Sequence, residues 1–160
     1  MNTHPITLRS SAFNDSEAIP STYTCDGENI SPPLAIEGVP KHAVSLVLTV
    51  DDMDVPKEIR TDGVWDHWVL FNIPPQTTCI DEGEVPLGAM VGMTTSGSGD
   101  YVGPCPPDGM HRYHFKIYAL DTLLRLPLGA SKDEVLKEME GHVLGSGALM
   151  GTYARKKGAV

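Results

Sequence analysis

Three short polar clusters carry the chemistry this sequence could perform: Asp51-Asp52-Met53-Asp54, Asp66-His67 and His111-Arg112-Tyr113. Carboxylates, imidazoles and a phenol exchange protons, ligate metals through oxygen and nitrogen, or donate hydrogen bonds to an anion. Asp52 and Asp54 are two residues apart, so in extended chain they point the same way. By the same period His111 and Tyr113 share a face while Arg112 takes the other. Arg112 then reads as half of an ion pair, with Asp51 or Asp54 as its partner. Asp52, Asp54, His67 and His111 form a donor set suited to a metal. Against catalysis, the chain has no Gly-x-Ser-x-Gly elbow, no His-Glu-x-x-His pair and no glycine-rich phosphate loop ahead of a helix. The residues therefore favour a binding site over an enzyme, with no cofactor and no resident metal.

These side chains sit at the ends of apolar runs, which must be the elements that position them. Residues 43–50 are β-branched and nearly all apolar, as in a central strand covered on both faces. Residues 65–73 read the same way and stop at Pro74-Pro75. Residues 113–120 alternate, with Tyr113, Phe115, Ile117 and Ala119 on one side. Residues 149–154 form a final strand, and residues 6–9 a weaker early one. Ser131 and Glu134 make a capping box that starts the one clear helix. Val135, Leu136, Met139 and Val143 line its buried face, and Gly145 ends it. The stretch 74–103 is long for a loop, so short strands are expected within it. One late helix among many strands predicts a mainly β or α+β sandwich built as a single domain.

The chain has 160 residues, 41% hydrophobic and 21% charged, as in an ordinary globular protein. Its net charge of −9 argues against nucleic acid, which needs clustered Lys and Arg. The one basic cluster, Arg155-Lys156-Lys157, reads as a solvated tail. No apolar run approaches the roughly 20 residues of a membrane span, so stable membrane insertion is not expected. The N-terminus lacks a signal-like core, and Cys25, Cys79 and Cys105 are odd in number and widely spaced. They read as free thiols in a reducing compartment, which points to the cytoplasm.

Two longer motifs sharpen the reading. Asp52-Met53-Asp54-Val55-Pro56 precedes the His-bearing run Trp65-Asp66-His67, and Gly103-Pro104-Cys105-Pro106-Pro107 leads into His111-Arg112-Tyr113. With the early loop from Tyr23 to Leu34 and the closing segment from Gly145 to Arg155, they resemble the phosphatidylethanolamine-binding protein family. Its other name is the Raf kinase inhibitor proteins, and the likeness is to the short bacterial and archaeal branch. It runs from about residue 5 to 156. Met53 departs from the pattern, where the family usually has a proline.

The resemblance implies a β-sandwich of a large antiparallel sheet plus a smaller sheet, with few helices. It implies a small anion pocket lined by Asp52, His67, His111 and Tyr113, with Gly103, Pro106 and Pro107 as its lip. Proline-rich turns of this sort often hold a cis bond, expected here at Pro106 or Pro107. The implied ligand is a small anion or phosphoryl head group. Implied partners are a kinase or protease, as for some members, and a second copy in a homodimer. Asp52 beside the histidines is expected to raise their pKa values and favour imidazolium donors. It would orient a histidine or take an ammonium group. Met53 is expected at the pocket wall.

Overall fold

The computed structural model describes residues 4–155. Among the described residues nine strands build two sheets. The large one contains β1 (His4–Pro5), β4 (Ser45–Asp52), β5 (Trp65–Ile73), β7 (Met90–Val91), β8 (Met110–Leu120) and β9 (Val143–Ala154), in the order β1-β9-β8-β4-β5-β7. It is antiparallel except that β1 runs parallel to β9, so the sheet is mixed. The small antiparallel sheet joins β2 (Thr7–Arg9), β3 (Leu34–Glu37) and β6 (Cys79–Ile80). Both β6 and β7 lie in the long stretch where short strands were expected.

β4 sits between β8 and β5, and all eight of its residues are buried. Its even-numbered residues Leu46, Leu48 and Val50 face the small sheet, packing with Leu8, Ile36, Phe115 and Ile117. Val47 faces the other way, into a second cluster with Val69, Phe71 and the helix residues Val135 and Met139. A strand covered on both faces needs apolar side chains in both phases, which is why this run lacks alternation.

The helix α1 (Lys132–Met139) starts at the capping box, with the Ser131 hydroxyl accepting from the Glu134 N–H and Glu134 reaching back to the Ser131 N–H. It ends earlier than the apolar pattern suggests. Gly141 takes a left-handed φ of 81° and turns the chain, so Val143 and Gly145 belong to β9. The Lys132 ammonium lies 2.7 Å from Asp66 and 3.3 Å from Asp51. Burial alone would lower the pKa of this lysine, but the two carboxylates carry it above its ordinary value. This triad fastens the start of α1 to the ends of β4 and β5.

Three expectations are corrected. Cys25 and Cys105 form a disulfide that closes an 80-residue separation; only Cys79 is free among the described residues, and it is exposed. The odd count concealed a pair brought together by tertiary structure, and the thiol-based argument for the cytoplasm falls with it. Neither Pro106 nor Pro107 follows a cis bond; all described peptides are trans. Arg155 is not a solvated tail residue, since it forms a two-nitrogen contact with Asp26. Lys156 and Lys157 lie outside the described residues.

Three outcomes are expected. Alkylation of the unfolded, unreduced protein should label one cysteine, whereas labelling of three would contradict the disulfide. Replacing both Cys25 and Cys105 by Ser should lower stability by up to about 4 kcal/mol, read from the urea midpoint, because a long loop is freed in the unfolded chain. Lys132→Met should cost about 3 kcal/mol by stranding two carboxylates; an unchanged midpoint would show that the triad contributes nothing.

Candidate functional site

The site forms where β4, β5 and β8 end side by side. Asp52 stands opposite Tyr113 of β8 and Trp65 of β5. Asp51 and Asp52 are neighbours in one strand and so face opposite sides: Asp51 meets Lys132 beneath the helix, and Asp52 opens on the other side. In β8 the same alternation buries His111 and Tyr113 and leaves Arg112 exposed.

His67 reaches this side through an irregularity. Val50 pairs with Trp68 and Asp51 with Asp66, which leaves His67 without a partner in the register. It is the extra residue of a β-bulge, and the bulge changes the phase of the strand. Asp66 therefore turns toward Lys132, while His67 joins Tyr113, its ring edge-on at 5.3 Å between centroids.

The lip is fixed by its own contacts. The Val102 N–H donates to the His67 carbonyl at 3.0 Å, and His67 Nδ1 donates back to the Val102 carbonyl at 2.5 Å. The Gly103 N–H donates to the Asn29 side chain at 2.8 Å. Gly103 lies so close to Asn29 and the Tyr23 carbonyl that any Cβ would clash, which explains the glycine. The Cys25 N–H donates to the Pro104 carbonyl, and the disulfide follows at Cys105. Pro106 and Pro107 continue the rim.

All seven residues expected in the pocket, Asp52, His67, Gly103, Pro106, Pro107, His111 and Tyr113, border one cavity of about 290 Å³. Val55, Ile59, Trp65, Val102 and Cys105 complete its walls. Of these, Trp65 was within reach of the period-two rule from His67, and Cys105 lies inside the lip motif. Val55 and Ile59 carry no local signal. Met53 is not at this wall; it is exposed and borders a smaller recess beside Asp51 and Lys132.

Asp52 is occupied at both oxygens. One accepts from the Asp54 N–H at 2.8 Å, the other from His111 Nδ1 at 2.6 Å. It thus orients His111 while still bordering the cavity. Asp54 turns away and receives Arg112 through two guanidinium nitrogens, at 2.7 and 3.0 Å, and the backbone N–H at 2.8 Å. These bonds hold the Asp54 carboxyl below its ordinary pKa. Of the two partners expected for Arg112, Asp54 is the one found. Asp54 is therefore absent from the metal-suited set, and no group of three or more His, Cys, Asp or Glu gathers as a metal site among the described residues.

The Tyr113 hydroxyl is buried and makes no hydrogen bond within good geometry, although Asp52 lies near enough to affect its charge. Burial, reinforced by Asp52, pushes its pKa upward, so it stays a donor. His67 departs from expectation. Burial depresses its pKa below 6.5, and the Val102 carbonyl and the fields of Asp52, Asp51 and Asp66 only partly offset this. The neighbouring carboxylate does not make His67 an imidazolium, because desolvation is the larger effect.

This depression has a consequence for stability. Unfolded, the His67 imidazole titrates near 6.5; folded, it titrates lower, so the unfolded chain binds more protons between the two values. The contribution is complete above about 6.5 and is lost as pH falls toward the folded pKa. Thermal melts from pH 7 to pH 5 should show a falling Tm whose slope is shallower in His67→Gln. Identical slopes would contradict a buried, neutral His67.

Residues 9–154 match the family model described as phosphatidylethanolamine-binding protein. A UPF0098 protein of Methanothermobacter thermautotrophicus is 55% identical over 153 residues, covering 92% of this chain and 98% of that one. Another from Chlamydia trachomatis is 45% identical, with the same coverage. Among solved structures, the putative phosphatidylethanolamine-binding protein homolog CT736 from Chlamydia trachomatis superposes with a TM-score of 0.92 at 43% identity, covering 96% of this chain and 100% of that one. Escherichia coli YbcL, described as a new member of the mammalian family, gives 0.85 at 27% identity, covering 94% and 99%. With its mixed large sheet, smaller antiparallel sheet and strand-end cavity, this chain belongs to the phosphatidylethanolamine-binding protein family.

Proposed function

We propose that this protein is a non-enzymatic receptor whose cavity holds phosphate or a phosphoryl head group. The observation that carries the reading is the buried Tyr113 hydroxyl, which makes no well-aligned hydrogen bond within the protein although Asp52 lies close. A buried polar group left unpaired costs about 1–3 kcal/mol, and a ligand oxygen would remove that cost. Beside it stands His111, aimed by Asp52. The cavity is near the lower end of small-molecule sites, roughly 300 Å³, which suits a head group better than an extended ligand.

The lining also supports binding over chemistry. Among its residues there is no serine, threonine or lysine to act as a nucleophile, and Cys105 is held in the disulfide. The lip is fastened before any ligand arrives, so little ordering remains to oppose binding.

Calorimetric titration with phosphorylethanolamine tests this reading. The wild-type protein should bind, and Tyr113→Phe should bind roughly tenfold more weakly through loss of one hydrogen bond to a charged ligand. Equal affinity in the two proteins would remove Tyr113 from the ligand site.

A further inference from the structure

The bonds that hold the two histidines also determine which nitrogens they leave free. A carbonyl only accepts, so His67 Nδ1 must carry a proton to bond Val102. Neutral His67 then has its lone pair on Nε2, which has no hydrogen-bond partner among the described residues although the ring borders the cavity. The Tyr113 hydroxyl is the fixed donor. His111 commits Nδ1 to Asp52, so its Nε2 accepts or donates according to the ring's own protonation. The floor thus combines one obligate acceptor, one obligate donor and one adjustable group.

A tetrahedral oxyanion without a proton fits this set poorly. Sulfate and phosphodiesters would turn an oxygen lone pair toward His67 Nε2, leaving that acceptor unpaired beside a negative oxygen. Phosphate monoesters differ, since their second pKa lies near about 6 and a P–OH persists in that range; inorganic phosphate, with one more ionisable hydroxyl, keeps a P–OH even as its dianion. The P–OH donates to His67, and a second oxygen accepts from Tyr113, with His111 bordering the same space.

We propose that His67 is a specificity-determining residue that selects phosphoryl groups bearing a P–OH, namely inorganic phosphate and phosphate monoesters, over sulfate and phosphodiesters. The proposal rests on the phosphoryl reading of the same cavity. It has a pointed corollary: the head group of an intact glycerophospholipid is a phosphodiester, so the cavity takes the free head-group monoester in preference to the lipid.

Titration calorimetry near pH 6 with inorganic phosphate, phosphorylethanolamine, glycerophosphorylethanolamine and sulfate separates the cases. The two ethanolamine compounds share the ammonium group, so their comparison isolates the P–OH. Phosphate should bind about tenfold or more tightly than sulfate, and the monoester should exceed the diester by a similar factor. In His67→Gln, whose amide can present either a donor or an acceptor, both ratios should fall toward one. Wild-type binding of sulfate or the diester as tight as that of its protonated counterpart would overturn the proposal while leaving the phosphoryl reading intact. Ratios kept in a folded His67→Gln protein would overturn the role of His67. Failure of all four probes to bind would overturn both readings. Should the variant not fold, the wild-type ratios alone decide.

Discussion

Two consecutive buried carboxylates at the end of a strand covered on both faces set the terms for the rest of this molecule. Asp51 and Asp52 cannot share a partner, because neighbours in a strand face opposite sides. An unpaired buried carboxylate is costly, so each side must supply its own compensation. Beneath the helix that compensation is Lys132, shared with Asp66, and it dictates where α1 begins. On the other side it is His111 and the Asp54 N–H, and it forms the cavity floor. One side stabilises and the other presents a polar, oriented histidine to a small space.

The remaining parts give that space its shape. The bulge at His67 transfers an imidazole to the cavity side without moving its neighbours Asp66 and Val69 from the helix side. The lip is then tied to this imidazole through Val102, to Asn29 through Gly103, and to Cys25 through the disulfide. Each tie reaches a different part of the chain, so the cavity is fixed at its floor, wall and rim. The proposed phosphoryl ligand would therefore meet a floor whose groups are already held in place.

Much of this was legible in the sequence because it depends on local rules. The unbroken apolar run of β4, the alternation in β8 and the capping box of α1 follow from strand and helix periodicity and from hydrogen bonding near in sequence. Period two also placed His111 and Tyr113 together and Arg112 apart. The features that escaped depend on encounters between distant residues. Pairing of Cys25 with Cys105 needs two loops to meet, and spacing alone pointed to free thiols. The bulge at His67 arises from register against β4, which one strand's residues do not encode. The His67 pKa followed burial, whereas the sequence displayed only the nearby charges. The helix end was misplaced because apolar Val143 continues the helical pattern while Gly141 has already turned the chain.

In the proposed reading, Asp52, His67, His111 and Tyr113 form one floor for a phosphoryl group. A crystal structure of the protein with phosphorylethanolamine would test it most directly. Phosphoryl oxygens should lie within hydrogen-bond distance of the Tyr113 hydroxyl and the Nε2 atoms of His67 and His111, with the Cys25–Cys105 disulfide and the lip unmoved. A ligand seated elsewhere, or one in this cavity that leaves the Tyr113 hydroxyl unpaired, would contradict it.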